Sequence, residues 1–130
     1  MSINPLFLGL SHLGQVFSIG WALKIGKCSV FDTNVQNLKN YQSKQFTEEE
    51  PNLSKTYNKI KEKISIYSNI NQIRNHKTIF ITLDTPLDIN GKPNFNAIEK
   101  YIKKVSIYFN KKSTVILCSQ VYCGFCDKIK

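Results

Sequence analysis

The chain has 130 residues, of which 42% are hydrophobic and 21% charged, and a formal net charge of +9 at pH 7. That is room for one buried core, and the balance excludes collagen-like, coiled-coil and wholly disordered chains. The positive charge is not a nucleic-acid signature, because Arg74 is the sole arginine and the lysines are scattered, whereas arginine is the bidentate reader of phosphate and guanine.

Taken in chain order, strand and helix signals alternate. Leu6 to Leu8 reads as a short apolar strand, with Pro5 tolerated at its entrance. A turn of small residues, Gly9 to Gly14, leads into a helix that runs through Ile25 and stops at Gly26. From Leu6 to Leu23 there is no Asp, Glu, Lys or Arg. No basic residue precedes that stretch, and Gly, Ser, His and Gln interrupt it. A buried strand and helix therefore explain it, rather than a signal peptide or a membrane span.

Cys28 to Phe31 is a second strand, ending in Asp32, and Asn34 to Tyr41 is helical. Residues 42–51 form a polar, acidic loop. A helix follows over about Leu53 to Lys63, with Leu53, Tyr57, Ile60 and Ile64 on one face. Ile64 to Tyr67 is a third strand, Ile70 to Arg74 a helical turn, and Thr78 to Leu83 a fourth strand dense in β-branched residues. After a turn at Asp88 to Pro93, Asn96 and Glu99 have the spacing of a capping box. The helix it opens carries Ile98, Ile102, Val105 and Phe109 on one face. Thr114 to Cys118 is a fifth strand, and the last residues begin a loop and helix.

Such alternation implies right-handed crossovers and an α/β fold. The expectation is a Rossmann-like doubly wound sheet of about five parallel strands, buried on both faces and covered by helices on both.

Cys28 and Cys118 fall in apolar runs and read as small core hydrophobes. Cys123 and Cys126 form a C-x-x-C. A zinc site would need two more ligands, and His12 and His76 are remote in sequence. Two incidental thiols in a reducing cytoplasm, with no metal, is the expectation.

The first turn carries the chemistry. A strand, then Gly9-Leu10-Ser11-His12-Leu13-Gly14, then a helix is the layout of a dinucleotide-binding turn. The first glycine permits the tight turn, the second position lets the backbone approach a pyrophosphate, and the third lets helix and strand pack closely. The helix N-terminus offers N–H groups and a positive dipole end to phosphates. Asp32, ending the second strand, lies where an acid would bond an adenine ribose. Ser11 stands in place of the second glycine. On this turn alone, a tight strand-to-helix connection in any α/β protein is an equal reading.

The second half adds a resemblance. Thr85-Pro86-Leu87-Asp88-Ile89-Asn90-Gly91-Lys92-Pro93-Asn94-Phe95 resembles the Thr-Pro-x-Asp-x-x-Gly-x-Pro-Asp-type loop of the UDP-glucose/GDP-mannose dehydrogenase family. In register with it, Gly9 to Gly14 with Asp32 looks like that family's cofactor turn. Glu50-Pro51-Asn52-Leu53 resembles its Glu-Pro-Gly-Leu, and the segment from Val115 to Ile129 resembles its strand ending in Ser-Thr-Val-x-Pro-Gly-Thr-Thr.

The resemblance implies that NAD takes a hydride from C6 of a nucleotide sugar in two rounds, giving a uronic acid through a cysteine thioester. It implies that residues 1–130 are a single NAD-binding domain, incomplete at its C-terminal end, because the family's catalytic cysteine, lysine and asparagine lie in later segments. Gly9, Ser11, His12, Leu13 and Gly14 would then cradle the pyrophosphate, and Asp32 would hold the adenine ribose. Leu83, Thr85 and Pro86 would line the cofactor cleft, with Ser119 and Gln120 toward the nicotinamide. NAD(H) is the expected partner, joined by a nucleotide sugar only where the downstream domains are present, with no nucleic acid and no membrane. Ser11, Asn37, Asp84 and Gln120 depart from the family's pattern, Gln120 standing at the position of a threonine. They keep open the alternative of a diverged, non-catalytic Rossmann-like domain that no longer binds NAD.

Overall fold

The computed structural model describes residues 3–47 and 49–130. Among them, β1 (Leu6–Leu8), β2 (Cys28–Phe31), β3 (Ile64–Ile66), β4 (Thr78–Ile81) and β5 (Thr114–Leu117) form one sheet. The strand order is β3-β2-β1-β4-β5 and every pairing is parallel, with Phe7 level with both Val30 and Phe80. The chain steps outward from β1 through β2 to β3, then returns to β1's other side and steps outward again through β4 to β5. The carboxyl ends of β1 and β4 therefore flank a topological switch point, where open α/β sheets hold their ligands.

The helices are α1 (His12–Lys24), α2 (Val35–Gln42), α3 (Leu53–Ile60), α4 (Phe95–Ser106) and α5 (Phe125–Lys128), with 3₁₀ turns at Lys61–Lys63 and Ile70–Asn75. Helix α1 starts inside the glycine turn rather than after it, because Ser11 is its N-cap and accepts from the Gly14 N–H. The helix expected over Leu53 to Lys63 tightens into a 3₁₀ turn after Ile60. The cap of α4 is Asn94, not Asn96. Its side chain accepts from the Ala97 N–H, and Glu99 instead binds Lys103 and Lys128 at 2.7 Å each.

Side chains alternate across the sheet. On one face Phe7 and Val30 meet Ile19 and Ala22 of α1, Tyr41 of α2, and Tyr57 and Ile60 of α3. On the other, Leu6, Leu8, Ile79 and Ile81 meet Ile98, Ile102 and Val105 of α4, Ile73 and Phe125. Burial on both faces holds for β1 and β2 and fails for β5, an edge strand whose Val115 and Ile116 are 41% and 37% exposed. Cys28 is buried as expected, and burial pushes its thiol up to about 12. Cys118 is only half-buried, and Cys123 and Cys126 are exposed free thiols.

Beside α1 the first face is partly open. Phe7 stacks on Phe80 with ring centroids 5.0 Å apart, and Trp21 closes the cluster at 6.2 and 5.9 Å. A cavity of about 440 Å³ runs past them between Phe17 and Ile25. No helix among the described residues is long and apolar enough to cross a membrane.

Candidate cofactor site

The chain leaves β1 at Gly9, whose φ of +106° favours glycine and whose N–H donates to the Phe31 carbonyl at 2.9 Å. A Cβ on Gly9 would stand 2.8 Å from Leu83 Cδ2, and one on Gly14 would stand 2.0 Å from the Gly9 carbonyl oxygen. The start of α1 is thereby drawn down onto the turn.

Thr82, fully buried just past β4, fastens the turn from below. Its Oγ1 donates to the Gly9 carbonyl at 2.6 Å and its N–H to the Leu8 carbonyl at 2.9 Å. The Ser11 hydroxyl donates to the Thr82 carbonyl while accepting from Gly14 N–H at 3.4 Å. Ser11 therefore spends its hydroxyl on β4 and the helix cap. First-turn amides have no carbonyl partner within their own helix. The Leu13 N–H and the positive end of the α1 dipole remain for an anion.

The His12 ring is turned sideways. Its Nε2 lies 2.8 Å from Glu50 Oε1, in the loop before α3. Gln15, buried one turn into α1, donates to the Leu10 carbonyl and accepts from both the N–H and the hydroxyl of Thr47, each at 3.1 Å. The acidic loop is thus tied to the glycine turn through one amide.

Asp32 sits at the carboxyl end of β2 and is 4% exposed. Its Oδ2 accepts from Leu10 N–H at 2.8 Å and from Asn37 Nδ2 at 3.0 Å, and its Oδ1 accepts from Asn34 N–H at 2.8 Å. Beyond β4 and β5 the two loops are laced together. Ser119 donates to the Leu83 carbonyl at 2.7 Å, and Thr85 donates to the Gln120 carbonyl. Pro86 is exposed, and its carbonyl accepts from Asn94 N–H at 2.7 Å. A cavity of about 170 Å³ lies between these loops, lined by Thr85, Gln120 and Tyr122 among others.

The residues singled out in the sequence thus form one arc over the carboxyl ends of β2, β1, β4 and β5. The exception is the His12 ring, which faces the acidic loop. Thr82 and Gln15 complete the arc and were missed. The available signal for each was a polar residue inside an otherwise apolar strand or helix. Among the described residues, no cluster of His, Cys, Asp and Glu could hold a metal ion.

A parallel sheet with a switch point, a glycine turn pressed against a helix N-terminus, and an acid closing the neighbouring strand define a dinucleotide-binding domain of the Rossmann type. The chain belongs to the UDP-glucose/GDP-mannose dehydrogenase family: residues 4–130 match its NAD binding domain, and NAD is the cofactor of that domain. The donors fit such a group, because Ser11 leaves the turn's backbone clear and Asp32 keeps one acceptor position, on Oδ1, unfilled.

Solved structures share the fold. A UDP-D-ManNAc dehydrogenase from Pyrococcus horikoshii superposes with a TM-score of 0.84 at 19% identity, covering 98% of this chain and 31% of that one. A GDP-mannose dehydrogenase from Pseudomonas aeruginosa gives 0.84 at 17%, covering 98% and 30%. A UDP-N-acetyl-mannosamine dehydrogenase from Staphylococcus aureus gives 0.78 at 20%, covering 95% and 30%. The chain spans under a third of the length of these proteins. No curated protein matches its sequence.

Proposed function

We propose that this chain is the NAD(H)-binding part of a cytoplasmic nucleotide-sugar 6-dehydrogenase that oxidises the C6 alcohol of a UDP-sugar to a carboxylate, a step that supplies polysaccharide biosynthesis. The observation that carries the reading is the turn between β1 and α1. Its hydroxyl side chain is spent inward on Thr82, and its helix end faces the switch point. Bound there, NAD supplies the hydride acceptor.

The chain's own groups bind and orient. Backbone at Gly9, Ser11, Leu13 and Gly14 takes the pyrophosphate, with His12 held beside it by Glu50. Asp32 accepts a hydroxyl of the adenine ribose. Leu83, Thr85 and Pro86 line the path toward Ser119 and Gln120 at the nicotinamide end, where Thr85 and Ser119 fix the spacing of the two loops. No catalytic residue is assigned within the chain, and Gln120 occupies the position of a family threonine. Turnover needs groups positioned against the sugar, so the chain by itself is expected to be inactive.

The test is an NADH titration read through Trp21, the only tryptophan. It lies nine residues beyond His12 on α1, about 14 Å along the helix axis. Saturable quenching with sensitised NADH emission is expected. Removing the charge with Asp32→Asn should weaken binding by about tenfold or more. A folded sample that gives no signal at millimolar NADH overturns the reading. It would favour instead a diverged domain, in which Asp84, exposed next to Leu83, adds a carboxylate to the cofactor path.

A further inference from the structure

Helix α1 differs in pattern from α3 and α4. Those two carry exposed lysines, Lys55 and Lys59 on one, Lys100, Lys103 and Lys104 on the other. In α1, Lys24 is the sole Asp, Glu, Lys or Arg. A helix that is apolar all the way round belongs in an interior. The sheet takes one side of it, where Ile19 and Ala22 are buried. On the outer side Phe17 is 42% exposed, and Leu13 and Gly20 are half-buried. Leu13, Phe17, Gly20 and Lys24 follow one another at steps of four, three and four residues, the spacing of a seam between two helices. Beside this stripe runs the cavity of about 440 Å³, walled by Trp21, Phe80 and Ile25, the last of them 65% exposed.

We propose that α1 is a homodimer interface: a second copy of this chain lays its own α1 antiparallel along the stripe, and each copy's Phe17 enters the other's groove opposite Gly20. The stripe is self-complementary. Reversed upon itself, it sets Phe17 against Gly20 and Leu13 against Lys24, so one pattern serves both copies, as a two-fold axis requires. Nothing stands within 4 Å of a methyl group built on Gly20, which leaves room for the incoming ring. The aliphatic stem of Lys24 covers Leu13 while its ammonium stays in water. Charge selects the same orientation. Glu49 and Glu50 lie at the amino end of α1, where Glu50 meets His12 at 2.8 Å, and the exposed Lys24 and Lys27 lie at its carboxyl end. Antiparallel docking brings each basic end to an acidic one, whereas parallel docking would set like charges together. The net charge of +9 opposes self-association at long range, but salt at physiological strength screens it beyond about 8 Å.

The test is sedimentation of the full chain at physiological salt, from about 1 to about 200 µM, with a melting curve for each variant to establish folding. The wild-type chain should approach twice its 14.9 kDa mass as concentration rises. Phe17→Glu alters an exposed position, so it should fold, and it should weaken the dimer about a hundredfold or more by burying an unpaired charge. Lys24→Glu should weaken it by several-fold, and adding Glu50→Lys to that variant should restore it, because the two ends meet across the axis. A wild-type chain that stays monomeric at the highest concentration overturns the proposal and leaves the stripe to another occupant. A dimer that survives Phe17→Glu but is lost in Val115→Lys overturns it too, and would place the contact at the β5 edge. Failure of Glu50→Lys to restore the Lys24→Glu dimer overturns the antiparallel arrangement.

Discussion

Gly14 and Gly20 lie on the same helix and answer to opposite constraints. At Gly14 an added methyl group would collide with the Gly9 carbonyl oxygen and the Thr82 hydroxyl, both backed by the sheet. Gly14→Ala must push α1 off the turn, and a loss of about 3 kcal/mol is expected in urea unfolding. At Gly20 nothing stands within 4 Å of the same methyl group. Gly20→Ala restores helix propensity without a clash and should stabilise by about 1 kcal/mol. The pair is a sharp check on the close approach of turn and helix, because composition and helix length change identically in both variants. Asn52 makes a related point. It holds a φ of +65° before α3, where the family's pattern has a glycine, and asparagine is among the residues that enter this region most readily.

At the scale of elements, the caps decide where helices begin. Asn94 binds the Ala97 N–H, whereas Asn96 is the second residue of α4. Asn94→Ala should therefore cost about 1 kcal/mol in thermal or urea unfolding, and Asn96→Ala should cost far less. The Asn96/Glu99 spacing was a sound local signal that lost to a competitor two residues upstream, and Glu99 was drawn away by Lys103 and by Lys128 from the far end of the chain. All five strands and their order of appearance were legible, because runs such as TIFI and TVIL admit little else. What was not legible was β5's exposure: an apolar run reads the same whether its strand is central or at an edge. The turn was legible in its glycines and in Asp32. The inward role of Ser11 was not, since it depends on Thr82, which lies 71 residues away.

Across the whole molecule, His76 joins segments that are distant in sequence. Its Nδ1 lies 2.8 Å from the Asn4 carbonyl and must donate to it, so its Nε2 accepts from the Tyr67 hydroxyl at 2.8 Å. Its own carbonyl takes the Ser113 hydroxyl at 2.6 Å. Burial pulls its pKa below the ordinary 6.5, against an opposing contribution from the Asn4 bond. Below about pH 6.5 the unfolded chain takes up a proton that the folded chain refuses. Stability should therefore fall as pH drops through the histidine range, and level off only below the folded pKa. Melting temperatures recorded from pH 8 down to pH 5 should show this slope, and His76→Gln should flatten it.

The central position of β1 has a consequence for the order in which the protein is made. Leu6 pairs with Ser29 on one side and with Ile79 on the other, so one partner is synthesised soon after it and the other roughly seventy residues later. During synthesis β3, β2 and β1 are complete while β1 still lacks a neighbour, and the future middle of the sheet is for that interval its rim. A rim of bare backbone invites pairing with other nascent chains. At three residues, β1 is too short to offer them much of a template. Its brevity lets the strand serve first as a harmless border and then as the seam on which both halves of the sheet close.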